Sequence, residues 1–309
     1  MAGSAVAIAP EPETPRVSRA TAWLLAARIP TLAAALVPVA VGSALAARDH
    51  AFRLGPALAA LAGALLIQIG TNLVNDLGDF RRGADSVARR GPPRALAMGW
   101  LSVPEIRAGI LLSFGAAVVA GLYLTHVAGW PVVAIGAASI LAGAAYTSGP
   151  WPLAYHGLGE LFVFLFFGLV AVCGTYFVET RGLRWEGLLA ALPVGALASA
   201  ILVVNNVRDR DGDRAAGKRT IAVRVGPRAA RAEYVALLGL AYLVPPVLVL
   251  GGQAGFPALL PLMTAPLAVA EARRVLARED GPSLNVALFG TARLHVLFGL
   301  LFAAGLAIA

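Results

Sequence analysis

The chain has 309 residues, 59% of them apolar and 14% charged, with a formal net charge of +8 and a mean hydropathy of +0.77. A water-soluble domain of this length does not carry that balance, so lipid is the solvent for most of the chain. Cys173 is the only cysteine, which excludes an intrachain disulfide and a Cys-rich zinc or iron–sulfur site.

The first fifteen residues carry Glu11 and Glu13 but no Lys or Arg, so they lack the basic start of a secretory signal peptide. Residues 1–19 are expected to form a disordered tail. Apolar runs follow over 20–47, 55–80, 105–126, 130–148, 157–178, 186–206, 229–251, 255–272 and 286–309. A run of about 18 or more such residues crosses a hydrocarbon core of about 30 Å as a helix. The runs are continuous rather than alternating, so they predict an all-α, polytopic transmembrane bundle of about nine helices and not a membrane barrel. Residues 20–309 read as a single domain, two loosely similar four-helix halves plus a ninth helix.

The net charge raises the question of nucleic acid, and its placement answers it. Arg16, Arg19, Arg81, Arg82, Arg89, Arg90, Arg94, Arg208, Arg210, Arg214, Lys218, Arg219, Arg224, Arg228, Arg231, Arg273, Arg274 and Arg278 flank the runs on one side. The other side has only Arg48, Arg53, Arg181 and Arg184. The positive-inside rule then makes the amino terminus cytoplasmic and, with an odd helix count, puts Ala309 outside, as expected of a multi-pass cell-membrane protein. These loops lack aromatic interleaving and any recognisable nucleic-acid motif, so no nucleic-acid partner is expected.

Two polar stations interrupt the pattern. The second run ends Asn72-Leu-Val-Asn75-Asp76-Leu-Gly-Asp79, with Gly83 as the expected helix stop and Asp85 beyond it. At about 100° per residue Asn72, Asp76 and Asp79 share one stripe. The sixth run ends Asn205-Asn206-Val-Arg208-Asp209-Arg-Asp211-Gly-Asp213, where Asn205, Asp209 and Asp213 form a second stripe. A solvated, arginine-balanced helix end explains one such pair; two matching stripes on the same side are better explained by one site. An Asp in the membrane core costs about 2.5–3.5 kcal/mol, and such residues usually face a cavity and serve function. Asp and Asn oxygens suit Mg²⁺, which binds through a few carboxylates plus substrate phosphates, so two stations fit two Mg²⁺ ions bridged by a diphosphate. Asp209-x-Asp211-x-Asp213 also starts like a calcium loop, but the required glycine is Arg214 and the closing glutamate is Thr220.

Asn72-x-x-Asn75-Asp76-x-x-Asp79 with a later Asp, paired with Asn205-Asn206-x-Arg208-Asp209-x-x-x-Asp213-x-x-x-Gly217-Lys218-Arg219-Thr220, resembles the UbiA superfamily of intramembrane aromatic prenyltransferases. Ala27-Arg28-x-x-Thr31 with Pro38, Arg90-Gly91-Pro92 with Arg94, Tyr146-Thr-Ser-Gly149-Pro150, Gly157-Leu-Gly-Glu160 and Thr291-Ala-Arg293-Leu294 extend the likeness to all but the first twenty residues. The offset acid at Asp85 is similar to the branch that prenylates 1,4-dihydroxy-2-naphthoate in menaquinone biosynthesis.

The resemblance implies a UbiA-like bundle with its active site at the cytoplasmic face. It implies Mg²⁺ held by Asp76, Asp79, Asp209 and Asp213 as the catalytic set, with Asn72, Asp85 and either Asn205 or Asn206 assisting. It also implies an isoprenyl diphosphate contacted by Lys218, Arg219, Arg94 and Tyr146, with Asn75, Asn205 and Asn206 beside the substrates. The implied reaction joins the prenyl chain to 1,4-dihydroxy-2-naphthoate with decarboxylation, giving demethylmenaquinone and diphosphate. Another aromatic acceptor, 4-hydroxybenzoate or homogentisate, is the alternative.

Arg28 and Arg293 sit inside apolar runs, where an arginine pairs or lines a cavity. Either would hold the acceptor carboxylate; the alternatives are that Arg28 snorkels to the interface and that Arg293 pairs with Glu160 or Glu179. Asp211 reads as an extra acid without an essential role. A secondary transporter is the rival from another class, since paired polar stations in related halves are also its signature. Depth separates the two, because transporter sites lie at the midplane on broken helices, whereas both stations here end apparently continuous runs.

Overall fold

The computed structural model describes residues 17–84 and 91–309. Most of the tail expected over 1–19, together with Asp85, Arg89 and Arg90, lies outside the described residues. The part that is described is not a tail at its end: Ser18 caps a helix that already starts at Arg19.

All nine apolar runs are helical, and no strand occurs among the described residues. The elements are α1 (Arg19–Ala27), α2 (Ala33–Arg48), α3 (Leu54–Arg81), α4 (Val103–Ala128), α5 (Pro131–Ala145), α6 (Gly159–Val163), α7 (Ala171–Thr180), α8 (Trp185–Ala215), α9 (Ile221–Val225), α10 (Pro227–Leu250), α11 (Ala265–Ala277) and α12 (Gly281–Ala307). Seven of the resulting helical segments are long and apolar enough to cross a membrane. The others are α5, whose 15 residues span about 22 Å, and the eighth run, which opens as the 3-10 segment Phe256–Thr264 before α11. Starts follow local chemistry: Ser102 and Glu105 form a capping box at α4, and the Asp280 side chain caps α12.

Three runs are broken, each for an identifiable reason. In the first, Arg28 adopts a left-handed conformation (φ 54°) and Ile29–Leu32 continues as a 3-10 turn. Pro30 supplies no N–H and disfavours the helical region for the residue before it. The Ala27 carbonyl that the break would orphan is taken by Asn72 Nδ2 at 2.9 Å, and the same nitrogen donates to Thr31 Oγ1 at 3.0 Å. The fifth run passes from α6 through the π-helical segment Phe164–Val170 to α7. There Gly168 meets Gly195 of α8 so closely that a Cβ on either would lie 2.7–2.8 Å from the backbone of the facing segment. The eighth run's opening turn carries Pro257 and Pro261.

α8 is the central helix. Of its 18-residue apolar window, 72% is buried, against 44% or less in every other crossing segment, and it packs on α2, α7, α10 and α12. Leu111, Leu112, Trp130 and Leu250 instead stand outward, 74–88% exposed, as lipid-facing side chains do. At one end of the bundle a polar latch joins the short loops. Asp49 accepts from Tyr176 Oη (2.6 Å) and Arg184 (3.0 Å), Glu179 accepts from Ser43 Oγ (2.6 Å) and the Arg53 N–H (3.1 Å), and Arg181 donates to the Val127 carbonyl (2.8 Å). The stations lie at the opposite end, in the last turns of α3 and α8.

Candidate active site

α3 presents one continuous face to a cavity of about 560 Å³: Ala60, Ala64, Ile67, Thr71, Asn75 and Asp79 all line it. Steps of three and four residues keep them on one stripe, which at 1.5 Å per residue runs about 28 Å along the helix. The far part of the cavity is apolar, walled by Val132 and Ile135 of α5 and by Phe162, Phe166 and Val178 of the α6–α7 run. Its head is polar, with Arg28, Asn72, Asn75, Asp79, Arg94, Tyr146, Asn205, Asn206, Arg208 and Lys218.

The two stations meet at that head. Lys218 Nζ stands 3.8 Å from Asp79 Oδ2 of the first station and 3.8 Å from Asp213 Oδ1 of the second. Helix termination brings it there: Gly217 takes φ 73° and the Lys218 N–H bonds back to the Asp213 carbonyl at 2.8 Å. Gly83 stops α3 in the same way, at φ 68°, as its position predicts. Tyr155, on the 3-10 turn Leu153–His156, donates its hydroxyl to Asp79 Oδ1 at 3.0 Å, and its ring lies under both Lys218 Nζ (5.5 Å) and the Arg82 guanidinium (5.0 Å). Burial, followed by the Asp79 charge, pushes the Tyr155 hydroxyl well above its ordinary range, so it stays protonated and keeps donating.

Arg208 organises the second station from within. It is 1% exposed, and its fork holds both Asp209 oxygens at 2.7 Å. It also donates to Asn205 Oδ1 at 2.7 Å and to Asn285 Oδ1 of α12 at 2.8 Å. Such a bidentate pair is strong and directional. The amides are similarly committed. Asn75 Oδ1 accepts from Thr147 Oγ1 at 2.9 Å, leaving its N–H groups for a ligand. Asn206 Nδ2 donates to Glu160 Oε1 at 2.7 Å.

The sequence-predicted residues divide accordingly. Asn72, Asn75, Asp79, Arg94, Tyr146, Asn205, Asn206 and Lys218 gather at the cavity head, with Asp213 joined through Lys218. The predicted stripe of Asn72, Asp76 and Asp79 is shifted: Asn75 takes the cavity-facing place and Asp76, 1% exposed, lies on its flank. The face is set by packing, since a Cβ on Gly78 would sit 2.8 Å from the Thr147 carbonyl. Asp209 gives both its oxygens to the Arg208 fork and is not among the residues that line the cavity. The Arg219 side chain is exposed and outside the lining, although its N–H supports the Tyr155 carbonyl at 3.1 Å. Arg293 is exposed on α12 and reaches neither the cavity nor Glu160, whose Oε1 belongs to Asn206. Asp211 is exposed and pairs with Arg210. Tyr155, Asn285 and the inward turn of Arg208 were not read from the sequence. An arginine in a basic loop reads as topology charge, and a tyrosine beside Trp151 reads as an interfacial anchor.

The donor set bears on a metal. Lys218 places a cation between two carboxylates, as a hard divalent ion between Asp79 and Asp213 would. Apart from the cationic Arg and Lys side chains, the head offers a metal only carboxylate, amide and hydroxyl oxygens, which suits Mg²⁺ and not a softer metal. No group of three or more His, Cys, Asp or Glu is brought together among the described residues. An ion here therefore draws much of its shell from water and phosphate, the usual habit of Mg²⁺.

Comparison with known proteins agrees with this geometry. Residues 35–308 match the UbiA prenyltransferase family. The chain is 36% identical to the 1,4-dihydroxy-2-naphthoate octaprenyltransferase of Mycobacterium tuberculosis, over 92% of this chain and 96% of that one. It is 34% identical to the enzyme of the same name from Escherichia coli, over 94% and 96%. Among solved structures, a UbiA homolog from Archaeoglobus fulgidus bound to GPP and Mg²⁺ superposes with a TM-score of 0.67 at 16% identity, covering 93% of this chain and 100% of that one. The apo UbiA homolog from Aeropyrum pernix K1 gives 0.67 at 18%, over 90% and 97%. At such identities the structural likeness speaks for the fold, whereas the family match spans most of the sequence. The chain belongs to the UbiA prenyltransferase family.

Proposed function

We propose that the protein transfers a polyprenyl group from an isoprenyl diphosphate to 1,4-dihydroxy-2-naphthoate, in a Mg²⁺-dependent reaction at the cytoplasmic face of the cell membrane. The observation that carries this reading is Lys218 held between Asp79 and Asp213 at the head of a long apolar cavity. Charge is confined to one end and hydrocarbon surface occupies the rest, which matches a diphosphate joined to a prenyl tail. The names of the M. tuberculosis and E. coli relatives supply the acceptor. The basic loops supply the orientation, amino terminus in the cytoplasm and carboxyl terminus outside.

When bound, Mg²⁺, as two ions in this reading, supplies neutralisation of the charge on a departing diphosphate. The residues that would hold it are Asp79 and Asp213, with Asp76, Asp209, Asp85 and the Asn72 oxygen assisting. Lys218, Arg94 and the Asn75 N–H groups bind the remaining phosphate oxygens. Tyr155 fixes the Asp79 carboxylate. The apolar walls hold the tail and exclude water from the allylic carbon, so the ring of the acceptor, attacking through carbon, captures it in place of hydroxide. The new bond displaces diphosphate, and loss of CO₂ restores aromaticity, giving the hydroquinone of demethylmenaquinone.

Purified protein in lipid is expected to join geranylgeranyl diphosphate to 1,4-dihydroxy-2-naphthoate only with Mg²⁺ present, and faster than to 4-hydroxybenzoate or homogentisate. Full activity in EDTA sinks the metal assignment. Preference for either other acceptor overturns the branch and leaves the prenyl transfer standing.

A further inference from the structure

Glu160 is left over by the mechanism above, yet its surroundings are built. It sits in the first turn of α6, lines the cavity and is 5% exposed. Oε1 accepts from Asn206 Nδ2 at 2.7 Å, and Ser199 Oγ of α8 donates to the Glu160 main-chain carbonyl at 3.0 Å, so both its side chain and its backbone are fixed to the central helix. Oε2 is buried and accepts no hydrogen bond from the described residues. A carboxylate oxygen without a donor, on the wall of a cavity, costs free energy that a ligand proton donor recovers.

Its neighbours locate that donor. Tyr146 is adjacent, since a Cβ on Gly159 would meet the Tyr146 hydroxyl at 2.9 Å. Both residues line the same cavity as Asn205, Asn206 and Lys218. With diphosphate at Lys218 and the tail along the apolar walls, the allylic carbon falls between them, and the ring that attacks it has to lie at the level of the polar head. An aromatic hydroxyl presented there is the group that Oε2 lacks.

Resting on the prenyl-transfer reading, we propose that Glu160 is a catalytic base that borrows the acceptor's hydroxyl proton. Oε2 takes the proton as the ring carbon bonds to the allylic carbon. The allylic C–O bond breaks and its electron pair leaves on diphosphate. When the acceptor's carboxylate departs as CO₂, the electrons of that C–C bond return to the ring and its oxygen takes the proton back from Glu160. No net proton is gained or lost and no redox partner enters. Asn206 is the positioning residue, holding Oε1 and thereby fixing the carboxylate of Glu160 in the cavity wall.

The charged and titratable groups around Glu160 are Tyr146 after α5, Lys218 after α8 and Glu233 on α10. The test is Glu160→Gln, which keeps the volume and the Asn206 contact, beside Asn206→Ala. Binding of geranylgeranyl diphosphate with Mg²⁺ is expected to be unchanged in Glu160→Gln, which also reports that the variant is folded. Its kcat is expected to fall roughly 10²–10⁴-fold, the usual range for a lost general base. Activity should then recover as pH rises toward about 10, where a phenol ionises unaided. Asn206→Ala should lower kcat with little change in the diphosphate KM. Each variant is assayed on whichever of the naphthoate, 4-hydroxybenzoate and homogentisate the unmodified protein uses fastest, so a wrong acceptor moves only the branch assignment. A kcat within threefold of the unmodified protein, or a loss that high pH leaves in place while binding is intact, overturns the role of Glu160.

Discussion

Replacing Lys218 by methionine removes the cation between Asp79 and Asp213 while keeping a long apolar stem. Each ammonium–carboxylate pair at 3.8 Å contributes about 4 kcal/mol of attraction at an effective dielectric near 20. The side chains are only 6–13% exposed, so solvent does little to screen what remains. Desolvation offsets part of that attraction, and removing one partner of a buried pair costs about 3–5 kcal/mol. Without metal, Lys218→Met is therefore expected to lower Tm in detergent by roughly 5–10 °C. Mg²⁺ replaces the missing cation, and an ion at a hundredfold excess over its Kd adds about 2.7 kcal/mol to the native state. Thermal unfolding with and without Mg²⁺ is the assay: Mg²⁺ should raise the Tm of Lys218→Met by several degrees more than that of the unmodified protein. Equal Mg²⁺ increments in both proteins, or no loss in the metal-free variant, refute the idea that Lys218 and the metal answer the same pair of carboxylates.

Tyr155→Phe removes the hydroxyl that holds Asp79 and should raise the Mg²⁺ concentration for half-maximal activity roughly 10–100-fold, the cost of losing a group that orients a ligand; an unchanged Mg²⁺ titration counts against it. Gly195→Ala forces a methyl toward the Phe164 carbonyl, 2.7 Å away, and should destabilise the protein by about 1–3 kcal/mol, read as a lower Tm. At Asp49 burial acts to raise the carboxyl, but the Tyr176 hydrogen bond and then the Arg184 bond and charge outweigh it and hold it below the ordinary value of 3.8. A depressed carboxyl contributes its stability above the unfolded value and loses it as pH falls through the folded one. Asp49→Asn should thus lower Tm at neutral pH and flatten the loss of Tm below about pH 4; an acid limb as steep as that of the unmodified protein refutes the assignment.

What the sequence disclosed follows from which solvent each residue faces. Apolar runs are legible because lipid requires them, and both stations stood out because amides and carboxylates are costly there. Rotation about a helix was not legible to one residue: 72, 75 and 79 are as helical a spacing as 72, 76 and 79, and close packing, such as the approach of Gly78 to Thr147 and of Gly70 to Phe114, decides between them. Pairing within a station was equally hidden. Arg208 beside Asp209 reads as two loop charges, whereas the structure turns both inward and ties them to Asn285, 77 residues away. Residues that act through a turn, such as Tyr155, give no periodic signal at all.

The chain ends of the two stations explain why one lysine serves both. In α3 the Gly83 N–H bonds to the Phe80 carbonyl (3.1 Å) and the Ala84 N–H to the Asp79 carbonyl (2.9 Å); in α8 the Gly217 N–H bonds to Arg214 (3.1 Å) and the Lys218 N–H to Asp213 (2.8 Å). Both are Schellman stops, with a left-handed glycine four residues after the aspartate. The aspartates therefore occupy equivalent places, each in the last turn of its helix, where the negative end of the helix dipole opposes a carboxylate and favours a cation. The equivalence breaks at the next residue, which is Ala84 in one stop and Lys218 in the other. A cation at both places would neutralise the two aspartates and leave little pull on a divalent ion; a cation at neither would take from both the ammonium they share, with Arg94 and Arg28 still acting on Asp79. One lysine compensates the pair enough to fold and leaves net negative charge for the metal, so Ala84→Lys is expected to weaken Mg²⁺ dependence and activity together while raising the metal-free Tm.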